Sequence, residues 1–288
     1  MKDTVFNKYI IYTFLLSWTA MIVLCLNAGA LSLTVFRMLL MCIMFIPTLG
    51  AILSGHDLRT IGFKPSFKGK IRYWVMAWFI AAPLTILGAV LFFVFFPKTF
   101  DLSGAYFIAS AGQEAFDEML AAGIDYKTYV LISGIQCLTI APLFNIIPSA
   151  GEEVGWRGVM YPYLKERFDK VMGRIIGGII WGIWHWPLII LVGYEYGTEY
   201  LGAPFTGVMV FCLVTVALGI LMDYVYEKTS CIFAPALLHG AFNAWGTMPM
   251  AVTDPANVRL YILGPLPVGL ISVIPFVIVA LLLLRKGD

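Results

Sequence analysis

Charge is scarce in this chain. Of its 288 residues only 12% are Asp, Glu, Lys or Arg, against 60% hydrophobic, whereas a soluble domain carries roughly a quarter charged residues. That composition excludes an ordinary soluble globular fold. Histidine is rarer still, with three in the whole chain. The five cysteines (Cys25, Cys42, Cys137, Cys212 and Cys231) form no C-x-x-C pair and fall in or beside apolar runs, so neither a disulfide framework nor a redox motif is implied. H-E-x-x-H, G-x-S-x-G and a Gly-rich phosphate loop are all absent, which removes the soluble zinc-protease, serine-hydrolase and nucleotide-binding readings. No internal repeat is visible, and this weighs against a transporter built from inverted halves. A net charge of +2 says nothing for nucleic acid, and no such partner is expected.

What the chain has instead is apolar runs of about twenty residues, each long enough to cross a ~30 Å hydrocarbon core. Eight spans are expected, near 9–29, 31–54, 73–96, 130–163, 175–193, 206–225, 231–250 and 261–284. The expected fold is therefore an all-α, polytopic transmembrane helical bundle forming one integral domain over 1–288. The fourth run is too long for one straight crossing and holds Pro142 and Pro148, so a bend is expected there. Lys2, Lys8 and Ala28-Gly29-Ala30 loosely mimic a cleavable signal. The apolar stretch between them is long and another span follows at once, so a retained first helix is expected. A short amphipathic helix over 104–123 is expected to cover the outer surface.

Charge in the connections orients the bundle. Arg59, Lys64, Lys68, Lys70 and Arg72 make 56–72 basic, as Lys165, Arg167, Lys170 and Arg174 do for 164–174. The connection 97–127 is acidic, 194–205 carries only Glu195 and Glu199, and Arg285 and Lys286 close the tail. The positive-inside rule then puts both termini in the cytoplasm, N-in/C-in, as an even number of spans requires.

An Asp, Lys or Arg at a helix centre costs roughly 2.5–3.5 kcal/mol on insertion scales, so ionisable groups inside apolar runs are functional candidates. The stretch "PSAGEEVGWRGVM" carries Glu152, Glu153 and Arg157, while "WGIWHWP" carries His185 and "LLHGAFNAW" carries His239 and Asn243. Residues four apart share a helix face, so Arg157 can neutralise Glu153 and leave Glu152, about 100° around the helix, free for chemistry. His239 and Asn243 share a face by the same spacing. Counted inward from Lys165, Arg174 and Lys228, the residues Glu152, His185 and His239 lie thirteen, eleven and eleven positions deep, or about 20, 17 and 17 Å at the helical rise. Three separate segments thus place their odd polar groups in one slab, where a site opening toward the cytoplasm is expected.

Blander readings stand beside this one. Ser149-Ala-Gly-Glu152 after Pro148 matches a capping box, Glu153 with Arg157 could be a structural ion pair, and Asn243 could be interhelical glue. Trp181, Trp184 and Trp186 read as pocket wall. Arg37 reads as a snorkelling residue near an outer helix end. Gly173/Gly177 and Gly178/Gly182 are two G-x-x-x-G spacings that allow close helix approach around His185. Pro187 and Pro235 are expected to loosen helices near the same depth.

A carboxylate with a histidine can activate water, and a histidine with a carboxamide can stabilise an oxyanion, a set suited to amide hydrolysis. "EEVGWR" at 152–157 resembles the E-E-x-x-x-R motif of the CAAX protease and bacteriocin-processing family. "WGIWH" at 181–185 is similar to its F-x-x-x-H motif, with Trp181 for phenylalanine, and "HGAFN" at 239–243 to its H-x-x-x-N motif. The motifs occur in the family's order, and the wider resemblance covers a catalytic core of 130–250. The resemblance implies an intramembrane endopeptidase similar to the type II CAAX prenyl endopeptidases. Glu152 would act as general base on water with His185, Glu153 and Arg157 would support that base, and His239 and Asn243 would hold the oxyanion. No cofactor is expected, although Glu152, His185 and His239 form a possible zinc set. The expected partners are the bilayer and a membrane-associated peptide or lipidated protein, in a prokaryotic plasma membrane. The alternative is a non-catalytic membrane scaffold or immunity protein of the same fold.

Overall fold

Apolar runs this dense satisfy their backbone groups as helices, and helices are what they form. In the computed structural model, which describes residues 2–285, no strand occurs among the described residues. Lys286 lies outside them. α1 (Asp3–Leu26) buries one stripe, Tyr9, Thr13, Ser17, Met21 and Leu24, at the three- and four-residue spacing of a helix face. α2 (Leu33–Ile43) starts on Ser32, whose side chain accepts from the Val35 N–H, and continues after a break as α3 (Ile46–Leu53). Gly50 of α3 lets that helix sit directly on Thr13 of α1. α4 (Ile71–Phe79) and α5 (Ala81–Phe95) form the next crossing, followed by α6 (Ala105–Ala111) and α7 (Gln113–Ala121). The single amphipathic helix expected over 104–123 is thus two helices. Gly112, at φ 93°, splits them by taking a left-handed backbone that side-chain-bearing residues avoid.

α8 (Tyr126–Thr139) and α9 (Ala141–Gly155) follow, then a π-helical turn Trp156–Met160 and α10 (Tyr161–Arg167). The chain bends by 48° between Thr139 and Ala141, next to Pro142, as the prolines led one to expect. Pro148 lies inside α9 and Ser149 is buried there. The helix starts instead at Ile140, so the capping-box reading of Ser149 and Glu152 fails. α11 (Lys170–Trp184) is capped by Asp169, which accepts from Met172 N–H, and breaks at His185 before α12 (Trp186–Val192). Pro187 sits in the first turn of α12, where a missing N–H costs nothing and the preceding helix cannot run on. Pro235 likewise occupies the first turn of α14 (Phe233–Gly246) and loosens nothing. Between them runs α13 (Phe205–Thr229), and α15 (Ile274–Arg285) ends the fold.

The G-x-x-x-G spacings on α11 serve two neighbours. A Cβ on Gly173 would meet the Lys165 backbone at 2.6 Å and one on Gly177 the Tyr161 ring at 2.7 Å. Gly178 abuts the Val216 backbone, and a Cβ on Gly182 would meet Thr215 Oγ1 at 2.7 Å. One glycine pair seats α10 and the other seats α13.

Five helical stretches are long and apolar enough to cross a membrane, and the bent pair α8 with α9–α10 makes a sixth. These are the first six of the eight expected spans. The last two differ. α14 has 14 residues, buried from Ala234 to Phe242, and threads the bundle's interior. The span expected over 261–284 is helical only from Ile274. Gly264, Pro265, Pro267 and Gly269 break the periodicity before that, and residues 261–273 run as irregular turns. Such backbone survives at membrane depth only where protein or a cavity surrounds it, and here Leu266 and Val268 line a cavity.

Two ends of the bundle can be told apart by their contacts. At one end Lys70 Nζ donates to Thr229 O (2.8 Å), Tyr226 Oη to Ile61 O (2.7 Å) and Tyr163 Oη to Asp3 Oδ1 (2.8 Å). This end gathers the basic connections 56–72 and 164–170. At the other, Phe100 bridges Thr253 and Leu201 N–H donates to Arg259 O. One continuous buried core, from Tyr9 to Leu283, joins the two.

Candidate active site

α9 delivers both glutamates into the core, with Glu152 2% and Glu153 0% exposed. They have different partners. Arg157 Nη1 donates to Glu153 Oε1 at 3.0 Å, and His239 Nδ1 lies 2.8 Å from the same oxygen. A carboxylate only accepts, so the ring hydrogen is on Nδ1 and the other nitrogen of His239 is turned away from Glu153. Glu152 points elsewhere. Its Oε2 accepts from Trp156 Nε1 at 3.0 Å and Trp181 Nε1 at 2.8 Å. Two donors engage one oxygen, and the carboxylate lines the pocket shared with His185, His239 and Asn243. The pairing read from helical spacing, Arg157 on Glu153 with Glu152 turned elsewhere, is the arrangement in the fold.

The π-helical turn begins at Trp156 and carries Arg157. Single π-turns inside α-helices recur at functional sites because they rotate the side chains that follow. Here Arg157 is fully buried and its guanidinium lies 4.6 Å from the Tyr161 ring centre and 4.5 Å from that of Trp181. Cation–π contacts of this kind strengthen when desolvated, to about 2 kcal/mol. The guanidinium is thus held by Glu153 and two aromatic faces, and Glu152 takes no part in that pairing.

His185 sits in the break between α11 and α12. Its Nδ1 lies 3.0 Å from Trp181 O, and since a carbonyl only accepts, Nδ1 carries the hydrogen and Nε2 keeps its lone pair. The ring is wedged between Trp184 and Phe211, each with its centre 4.7 Å away, and stacks on Tyr194. Asn243, one turn beyond His239, is exposed to the cavity. The interhelical glue is a different carboxamide, Asn145, whose Nδ2 donates across to Gly240 O at 3.3 Å. All four residues expected to act chemically line one pocket of about 90 Å³. His56 stays outside it, beside Thr60 in its loop.

Two features escape a reading of the residues alone. Trp181, expected as wall, donates a hydrogen bond to Glu152. Glu195, expected only as a loop charge, lines the pocket with Tyr194 and holds φ at 67°, a left-handed backbone that costs a non-glycine residue about 1–3 kcal/mol and clusters at functional sites. The run "VGYEYG" at 192–197, an acid between two tyrosines and two glycines, is the signal that marks it. Among the described residues no three His, Cys, Asp or Glu side chains are arranged to hold a metal ion. Glu152, His185 and His239 share a pocket, with one oxygen of Glu152 engaged by the Trp156 and Trp181 indoles.

The Trp181 hydrogen bond has a measurable consequence. Bonds to charged groups contribute about 1.5–3 kcal/mol. Trp181→Phe keeps an aromatic ring beside Arg157 and His239 but removes the donor. We expect kcat to fall about tenfold with KM little changed, since Trp156 still holds the same oxygen. A ring that serves only as packing would leave kcat per folded molecule unchanged.

Comparison with known proteins agrees with the motifs. Residues 134–245 match the family model described as type II CAAX prenyl endopeptidase Rce1-like. Over 99 residues the chain is 30% identical to CAAX prenyl protease 2 of Methanococcus maripaludis, a match covering 34% of this chain and 36% of that protein. The chain thus matches about a third of the length of this curated relative. Both findings bear out the resemblance read from the three motifs, over the segment that carries them.

Proposed function

We propose that this chain, whose residues 134–245 resemble a type II CAAX prenyl endopeptidase, is an intramembrane endopeptidase that hydrolyses a peptide bond of a membrane-associated peptide or lipidated protein. The observation that carries this reading is the division of labour between two adjacent carboxylates, Glu153 neutralised and Glu152 turned to a pocket with two histidines and a carboxamide. A water held between Glu152 and the His185 Nε2 loses a proton to that pair as it attacks the peptide carbonyl. The carbonyl oxygen becomes an oxyanion, which receives hydrogen bonds from the imidazolium of His239 and the amide of Asn243. The intermediate collapses with cleavage of the C–N bond. The proton taken by Glu152 passes to the leaving amine, and a carboxylic product and a free amine remain. Glu153 orients His239 through its Nδ1, and Arg157 holds Glu153 in place.

No metal takes part in this scheme. The membrane concerned is taken to be a prokaryotic plasma membrane. Purified protein in lipid nanodiscs, incubated with prenylated and unprenylated membrane peptides, tests the reading by mass spectrometry of the products. Cleavage that persists in a strong zinc chelator is the expected result. Cleavage abolished by chelator and restored by zinc would overturn the metal-free scheme while leaving the protease intact, and no cleavage of any membrane peptide would count against the protease itself.

A further inference from the structure

Glu195 has no part in the hydrolysis described above, yet it stands beside the groups that carry it out. The segment 193–197 turns back tightly between α12 and α13. Gly193 and Gly197 both take left-handed backbone, at φ 67° and 76°. Gly197 N–H donates to Gly193 O at 2.7 Å, and Tyr194 N–H to Leu188 O at 3.2 Å. Tyr196 is fully buried and fastens the turn through its Oη, which donates to Val268 O at 2.9 Å. Tyr194 lays its ring nearly parallel to His185, with centres 6.2 Å apart. The turn is thus fixed on both sides of Glu195, whose left-handed backbone is held against its own cost.

Two cavities meet at this residue. The catalytic pocket of about 90 Å³ adjoins a larger one of about 610 Å³, within the ~300–1,000 Å³ range of ligand sites. Tyr194, Glu195, Phe242 and Asn243 line both. The smaller space holds the reacting groups, and the larger has room for the residues that flank a scissile bond.

Charge on these walls is unbalanced. Among the described residues the catalytic pocket is lined by two carboxylates, Glu152 and Glu195, and by no Lys or Arg. Arg37, expected to snorkel, lines the larger cavity but not the catalytic pocket. Glu195 is partly buried. Among the described residues it makes no ion pair, and its neighbour Tyr194 offers it a single hydroxyl. A carboxylate withdrawn from bulk water and left without a counter-charge is costly. The cation that the chain does not supply can come with the substrate.

We propose that Glu195 is a specificity determinant, receiving a Lys or Arg side chain that the peptide carries within about two residues of the scissile bond. Glu195 shares its small pocket with Asn243 and Glu152, and an extended chain advances ~3.3–3.6 Å per residue, which keeps the cation that close. The long apolar stem of either side chain suits the walls made by Phe211 and Phe242, with the charged head on the carboxylate. The position of the scissile bond rests on the protease reading; the preference for a cation rests on the wall itself.

Membrane-inserted peptides that differ in one residue, Lys, Met or Glu at successive positions, test this in nanodiscs by two readouts. Cleavage by the unaltered chain is expected to favour Lys over Met by about 10–100-fold in kcat/KM at one position within two residues of the cut bond, the scale of a hydrogen bond between charged groups. Glu195→Gln should erase that difference, and Glu195→Lys should turn the preference toward Glu. Glu195→Gly adopts the left-handed backbone without strain, so it should lose the preference with no fall in melting temperature, which separates recognition from folding. Affinity for the same peptides is measured on the Glu152→Gln variant, where hydrolysis does not intervene, and should show the same order until Glu195→Gln is added. Peptides bound with this preference but never cut would count against the protease reading and leave the Glu195 site standing. Cleavage without any preference for Lys, or a preference that survives Glu195→Gln in folded protein, would overturn the proposal and leave the protease reading intact.

Discussion

Glu152→Gln is expected to lower turnover by about 10⁴-fold, at the upper end of what general acid–base catalysis contributes, and to leave thermal stability almost unchanged. The second expectation follows from the two indole N–H groups on one carboxylate oxygen. A glutamine in the same rotamer offers its carbonyl oxygen to Trp156 and Trp181, so both hydrogen bonds survive. Its –NH₂ then points where the reactive oxygen was, and a donor in that position cannot take a proton from water. Glu153→Gln provides the contrast. It removes the negative charge that faces Arg157 and His239 in a fully buried setting, and unpaired buried charges cost about 3–5 kcal/mol. That variant should lose stability and activity together. Turnover and melting temperature measured on both purified variants separate the roles. Substantial cleavage by a well-folded Glu152→Gln variant would remove the residue from the mechanism.

The candidate site was largely legible in the residues because ionisable groups in hydrocarbon are costly wherever they occur. Glu152, His185, His239 and Asn243 stand out against apolar runs without any knowledge of packing, and the four-residue spacing pairs Glu153 with Arg157 within one helix. Contacts between helices were not legible in the same way. The His239–Glu153 bond joins residues 86 apart, and no local pattern encodes it. Trp181 reads as a hydrophobe because its single polar atom is a small part of a large ring; only the crossing of α9 and α11 shows where that N–H points. Glu195 looks like an ordinary loop acid until its backbone conformation and the fold of 193–197 back over the pocket are known. The last expected span failed for a different reason. Mean apolarity over 261–284 satisfies a membrane window, but Gly264, Pro265, Pro267 and Gly269 deny it helical hydrogen bonding, and burial among the surrounding helices supplies the tolerance that lipid would not.

Asn243→Ala is expected to reduce kcat by about 10²–10³-fold, the usual loss when one oxyanion donor is removed, or roughly 2.7–4 kcal/mol of transition-state stabilisation. Asn243 is exposed and lines the cavity, and the polar bonds between α9 and α14 are made by Asn145 and by His239 with Glu153. Truncating Asn243 therefore strands no partner and opens no hole in the core, so the melting temperature should hardly move. KM should change little, because the amide meets a negative oxygen only after water has attacked. Asn243→Asp should be as damaging or worse. It places a carboxylate beside the developing oxyanion, and its charge also offsets the imidazolium of His239 on which the other donor depends. Comparing kcat per folded molecule with thermal stability for both variants decides the matter. A stability loss with turnover preserved would return Asn243 to a structural role and leave His239 as the sole side-chain donor to the oxyanion.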